Sequence, residues 1–250
     1  MRLDLALVAR GLARSRSHAR QMLEDDRVRV AGLSKPKPSA RVGDDAVIEA
    51  RPDPYVSRGA RKLIAALDQS GLRVSGRVLD AGASSGGFTQ VLLERGAKLV
   101  HAIDVGHDQM AASLRHDRRV VVTEGLNLRD LSLDHVGGRR LDLVVADVSF
   151  ISLRLILDAL MAVTRPDGAV LVLVKPQFEV GRGNLNSRGV VTSPEAGAAA
   201  VAAVVDHAAR LGWSQVWSGP SVLPGQNGNQ EVFCLFRRSA PEVSSPDQTG

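Results

Sequence analysis

Cysteine is almost missing from this chain: Cys234 is the only one in 250 residues. A lone thiol excludes an internal disulfide framework and any cysteine-based metal cluster. The six histidines are scattered without an H-x-x-x-H type pair, so the sequence offers no metal site. Long apolar runs are missing too. Residues 196–205 are mostly alanine and are followed by Asp206 and His207, and the run from Ala169 to Val174 is far too short to span a bilayer. The opening MRLDLALVARG lacks the extended apolar core of a signal peptide, which points to the cytoplasm. Lysine is scarce as well. Only Lys35, Lys37, Lys62, Lys98 and Lys175 stand among 32 basic residues, so each retained lysine invites a chemical explanation.

What is present is ordinary for a globular protein. A hydrophobic content of 44% and a charged content of 24% allow a real core spread over one or two domains and exclude global disorder. The net charge of +5 is unevenly placed. Residues 1–62 carry 14 Lys and Arg against 8 Asp and Glu, whereas the remainder is close to neutral. A basic module on a neutral body suits a polyanion, because lysine and arginine release counterions condensed on phosphates. A solvated basic face would look the same by charge alone.

Two styles of patterning follow one another. Residues 1–50 read as a small α+β unit: an apolar helix ending at Gly11, and a second helix from Ser15 to Glu24 with Ala19, Met22 and Leu23 as its stripe. A short strand, Val28 to Val30, and a closing Val47-Ile48 complete it. Residues 51–57 read as a proline-broken linker, 58–238 as one α/β domain and 239–250 as a disordered tail. Within the α/β part, strands are predicted at 77–80, 99–104, 119–123, 141–146 and 169–174. Helices are predicted near 86–95, 107–115, 151–163 and 195–211. Short apolar runs alternating with helical periods imply a doubly wound, mostly parallel sheet. The last two strands, 214–218 and 231–237, have no helix between them and should form an antiparallel pair at one edge.

The strongest local signal is the segment from Val78 to Phe88, a strand ending in Asp80, then a glycine-rich turn opening a helix. Glycines allow close backbone approach, and a helix N-terminus favours negative groups. The spacing is neither the Walker pattern nor G-x-G-x-x-G. Asp147 and Lys175 stand at the ends of predicted central strands, where open α/β sheets bind ligands. A lysine directly after a buried strand is partly desolvated, which lowers its pKa and allows it to accept a proton, a role closed to arginine. Lys62 could equally be a solvated helix lysine, Glu231 an edge-strand acid, and Asn127 a turn asparagine.

The order Asp80-x-Gly82-x-x-x-Gly86-Gly87 resembles the first motif of S-adenosylmethionine-dependent methyltransferases. In that likeness Asp80, Gly82, Ser84, Gly86, Gly87 and Phe88 hold the cofactor's methionine end. Asp104, followed by Val105, meets the ribose, and Asn127 lies near the adenine; Asp147 also borders the cofactor. Lys62, Asp147, Lys175 and Glu231 line up as a Lys-Asp-Lys-Glu tetrad, similar to that of FtsJ-type ribose 2′-O-methyltransferases. The segment LARSRSHARQML resembles an S4 RNA-binding domain, in which Arg2, Arg14, Arg16, Arg20 and Lys35 would contact RNA. An S4 module ahead of an FtsJ-like domain is the architecture of the hemolysin-A-like (TlyA) family. Arg182 and Arg188 stand where that family often has lysine.

The resemblance implies a seven-stranded class I methyltransferase sheet with an antiparallel last strand. It implies S-adenosyl-L-methionine as cofactor and no metal. It also implies methylation of a cytidine 2′-hydroxyl in ribosomal RNA, in the small subunit and in some members also the large one. The main alternative is a catalytically silent, ribosome-associated S4 protein. A nicotinamide-dependent dehydrogenase is disfavoured by the Asp80-x-Gly82 start, and a pore-forming lysin by the lack of any spanning pattern.

Overall fold

The computed structural model describes residues 1–239 apart from positions 14, 25, 52 and 226, and leaves aside the side chains of Gln21 and Arg182. Two compact units divide the chain, Met1–Pro54 and the part from Tyr55 onward. In the first, α1 (Leu3–Ala9) packs on α2 (Arg16–Glu24), and β1 (Val28–Val30) pairs antiparallel with β2 (Ile48–Ala50). The hydroxyl of Ser15 accepts the N–H of His18 at 3.1 Å, which opens α2 as an N-cap does. Leu3, Ala6 and Leu7 from α1, Ala19 and Met22 from α2, and Val28 from β1 form its core.

The second unit contains α3 (Gly59–Ser70), β3 (Gly76–Ala81), α4 (Gly87–Glu94), β4 (Ala97–Asp104), α5 (Ala112–Arg115) and β5 (Val120–Glu124). It continues with β6 (Leu141–Ala146), α6 (Leu157–Ala162), β7 (Thr164–Val174), α7 (Pro194–Arg210), β8 (Trp213–Pro220) and β9 (Val232–Arg238). The sheet order is β5-β4-β3-β6-β7-β9-β8, and only β9 runs against its neighbours. Period-two alternation sends Leu79, Val144, Val170 and Val172 into one apolar layer. Val78, Leu143, Val145 and Leu171 enter the other, where α3 and α4 contribute Leu63 and Leu92. A sheet buried on both faces is why these strands read as continuous apolar runs.

Two predicted helices are shorter than expected. Of 107–115, only 112–115 is helical. The carboxylates of Asp104 and Glu124 capture the N–H groups of Gly106 and Asp108, and Asp108 takes a positive φ of 55°, so the preceding segment is held as a turn. The span 151–163 is broken. The Ser152 hydroxyl accepts the Arg154 N–H and starts a 3₁₀ turn, Ile156 departs from helical geometry at φ −126°, and α6 begins only at Leu157. Strand β7 begins earlier than expected, at Thr164, which pairs with Leu141 before a register shift.

Two buried groups pull the pH dependence of stability in opposite directions. His101, on β4, lies 3.1 Å from the Arg77 guanidinium, which can only donate, so His101 Nε2 is the acceptor and the ring is neutral. Burial and the Arg77 charge push its pKa down to about 4. A depressed histidine stabilises the fold above its unfolded value and loses that contribution as pH falls from about 6.5 toward 4. The buried Asp80 works in the opposite sense, since burial raises its carboxyl to about 7 and the folded state then holds the proton more tightly. The two oppose one another between pH 5 and 7. His101→Gln is expected to remove one side of the balance, making the variant about 2 kcal/mol more stable at pH 5 than at pH 7. Urea unfolding at both pH values reads this directly; a variant whose pH dependence equals the parent's would show that His101 does not titrate in this window.

Candidate active site

The ends of β6, β7 and β9 assemble the site. Val174 on β7 faces Val232 on β9, and the same register carried one residue further sets Lys175 opposite Glu231. Asp147 directly follows β6, next to β7 in the sheet. Lys175 Nζ lies 2.7 Å from Asp147 Oδ1 as an ion pair and donates a hydrogen bond to Ser149 Oγ at 2.8 Å. Lys62, in the first turn of α3, donates to Glu231 Oε2 at 2.5 Å. Far from being solvated, Lys62 is 5% exposed and Glu231 2%. Two lysine–carboxylate pairs therefore meet in one cleft of about 490 Å³, which the glycine turn from Gly82 to Phe88 also borders. A buried ion pair persists only where each charge has its partner in place.

An adjoining cleft of about 760 Å³ is lined by Gly82, Ser84, Asp104, Val105, Asn127 and Asp147, among others. Asp104 ties its two walls together: Oδ2 accepts the Ser84 N–H at 2.8 Å and Oδ1 the Gly106 N–H at 2.7 Å. Gly82 is required where it stands. Its φ is +85°, and a Cβ there would lie 2.7 Å from the Asp147 carbonyl oxygen. Asn127 both borders this cleft and caps a 3₁₀ turn, accepting the Arg129 N–H at 3.1 Å, so its turn role is real. Gly87 and Phe88 border the first cleft, and Phe88 stacks on Phe233 with centroids 6.3 Å apart.

Two residues of the glycine motif lie beneath the surface instead of in either cleft. Gly86, at φ +95°, turns toward Met110 and Leu114. Asp80 is fully buried; its Oδ2 accepts the Thr89 hydroxyl at 2.6 Å and its Oδ1 has no protein partner. Asp147 adds to the effect of burial in holding the Asp80 carboxyl up at about 7.

Sequence reasoning passed over Ser149, Phe150 and Phe178. Phe150 is 91% exposed and adopts φ +66°, a conformation that costs a bulky side chain energy and collects at functional sites. Its ring sits 5.3 Å from that of Phe178, so two aromatics stand at the mouth of the lysine-bearing cleft. The available signal was a phenylalanine between two serines, Ser149 and Ser152, three residues after a strand-end acid. In the first unit, Arg2, Arg16 and Arg20 are about half exposed and Lys35 is exposed, while Arg14 lies outside the described residues. Among the described residues no helix is long and apolar enough to cross a membrane, and no cluster of three or more His, Cys, Asp or Glu side chains could hold a metal ion.

A seven-stranded sheet with one reversed strand, a glycine turn after β3 and an acid ending β4 define the methyltransferase class of α/β folds. Residues 55–238 match the FtsJ-like methyltransferase family and residues 1–48 the S4 domain, and the chain belongs to the S4-bearing, hemolysin-A-like (TlyA) group of FtsJ-like methyltransferases. It is 49% identical to the 16S/23S rRNA (cytidine-2′-O)-methyltransferase TlyA of Mycobacterium tuberculosis, over 98% of this chain and 92% of that protein. It is 34% identical to the 23S rRNA (cytidine-2′-O)-methyltransferase TlyA of Campylobacter jejuni, over 73% of this chain and 70% of that one. Among solved structures, a provisionally named hemolysin from Streptococcus thermophilus superposes with a TM-score of 0.76 at 34% identity, covering 96% of this chain and 88% of that one.

Proposed function

We propose that this chain transfers a methyl group from S-adenosylmethionine to the ribose 2′-hydroxyl of a cytidine in ribosomal RNA. Its substrates are assembled subunits in the cytoplasm, the small one and in some settings the large one. The observation that carries this reading is the convergence of the Lys62–Glu231 and Lys175–Asp147 pairs in one cleft beside the glycine turn. The cofactor class suits the residues present: Gly82 and Ser84 of the glycine turn, the Asp104 carboxylate and Asn127 line one open cleft of about 760 Å³, which offers a polar wall to a nucleoside and an amino acid alike. Asp104, Val105 and Asn127 would hold its nucleoside end, and Gly82, Ser84 and Gly87 its amino-acid end. When bound, S-adenosylmethionine supplies an electrophilic sulfonium methyl.

The chain's own task is then to align a hydroxyl and remove one proton. Lys175 is the group we assign to that proton. Its ammonium must first release one proton to solvent; the amine lone pair so freed then accepts the hydroxyl proton, and Asp147 and Ser149 fix where that nitrogen sits. Glu231 holds Lys62 in the same cleft, where its charge favours an oxygen that is becoming negative. Phe150, exposed and conformationally strained beside Phe178, provides a face on which the unpaired target base can stack.

Mass-spectrometric mapping of 2′-O-methylated nucleotides in ribosomal RNA from deletion and complemented strains tests the function. A deletion strain that retains every such methyl group refutes it. For the stacking face, Phe150→Ala is expected to lower kcat/KM for the RNA roughly 5- to 160-fold, matching the ~1–3 kcal/mol of one base–aromatic stack, with cofactor affinity unchanged. Parental kcat/KM in that variant would remove Phe150 from substrate recognition.

A further inference from the structure

Asp4, in the first turn of α1, has no exposed area. Three guanidinium groups close over it. Arg2 donates from Nε to Oδ1 at 3.0 Å and from Nη2 to Oδ2 at 3.1 Å. Arg16 Nη2 donates to Oδ2 at 3.4 Å, and Arg20 Nε lies 3.7 Å from the same oxygen. The carboxylate is hidden while the three arginine side chains remain about half exposed. Seen from solvent, the group is three planar donor forks with a net charge of +2, drawn to one point by a buried anion.

That arrangement is more than a stability device. A free surface arginine gives up about 2 kcal/mol of rotamer entropy when it is fixed on a ligand. Here the fixing takes place when the protein folds, so a second anion meets forks already in position. Each guanidinium carries five donors, and Arg2 spends two on Asp4 and Arg16 one, which leaves donors for phosphate oxygens. Arg10 shows the contrast: it donates to the carbonyls of Gly43, Asp44 and Ala46, so its fork is consumed within the unit. Arg16 and Arg20 stand one turn apart on α2, and Arg2 joins them from the chain ahead of α1, so the spacing of the cluster is set by two helices.

We propose that Asp4 is a positioning residue that holds Arg2, Arg16 and Arg20 as a preorganised guanidinium cluster for the phosphate backbone of folded RNA. The proposal rests on the ribosomal RNA reading above and deepens it, since it assigns the order in the contact surface to a residue that would itself repel phosphate.

The test is one of sign. Asp4→Asn removes one negative charge facing the RNA, so charge alone makes binding tighter, whereas lost positioning makes it weaker. The full-length chain is titrated with unmethylated ribosomal subunits over a series of KCl concentrations. Asp4→Asn is expected to weaken binding about tenfold and to reduce the slope of log K against log[KCl] by about one, the value of one phosphate contact. A merely structural role would not change that slope, and cofactor affinity by calorimetry is expected to stay parental. Equal or tighter binding by Asp4→Asn overturns the proposal. Where Asp4→Asn does not fold, the Arg16→Lys/Arg20→Lys variant decides: it keeps every charge and Asp4 but loses the forks. Weaker binding upholds the cluster and parental binding overturns it. Failure of the underlying function is separately visible, as a parent chain that binds subunits but leaves no 2′-O-methyl group on them.

Discussion

Lys175→Arg is expected to abolish methyl transfer, with single-turnover rates falling about 10²- to 10⁴-fold, the usual contribution of a positioned acid or base. The substitution keeps a cation beside Asp147 and Ser149, so the electrostatics of the pair are largely preserved. What it removes is any ability to take up a proton, because a guanidinium stays charged in proteins. Cofactor and subunit affinity should therefore remain near parental while chemistry stops. Equilibrium binding beside single-turnover methyl transfer separates the two. A Lys175→Arg variant that transfers methyl groups at the parental rate would show that alignment alone drives the reaction.

Glu231→Ala is expected to cost about 3–5 kcal/mol of folding stability, the range for removing one member of a buried ion pair. Lys62 would then be left with its ammonium in a nearly dry site, 2.5 Å from where its partner had been. Gly225 bears on the same point, since a Cβ there would lie 2.6 Å from Glu231 Oε1, and the loop before β9 is shaped around this carboxylate. Denaturant unfolding measures the loss, and a change below about 1 kcal/mol would show that water already compensates the pair. The double variant Lys62→Met/Glu231→Leu sharpens the reading. Apolar replacement of a whole buried pair is often neutral or stabilising, so stability is expected to return while methyl transfer does not.

Much of the second unit was legible residue by residue. Strands β3, β4, β6 and β9 lie close to their expected limits, because burial on both faces leaves a continuous apolar run that short-range inspection detects. The turn after β3 was equally plain, since Gly82 must approach the Asp147 carbonyl with a positive φ and few sequences meet that demand. The helices at 107–115 and 151–163 were overestimated for a physical reason. Glu124, 16 residues beyond Asp108, holds that residue's N–H, and no helical periodicity can register such a distant acceptor. The motif did not tell which of its residues face the cleft. Asp80 and Gly86 belong to the pattern, yet both turn into the interior and leave the cleft wall to their neighbours.

By itself, then, the sequence determined the class of fold, the position of the glycine turn and which lysines and acids merited attention. These follow from side-chain period, backbone sterics and the scarcity of lysine, all of which are local properties. Tertiary structure alone decided which charges meet. Lys62 and Glu231 are 169 residues apart, and their bond depends on the register of β7 against β9 and on where α3 begins. It also decided that Lys62 is buried, that Phe150 is driven outward at φ +66°, and that Asp4 lies hidden under three arginines. Burial and pairing between distant segments are set by how packed layers close on one another, and that information exists only once the chain has folded.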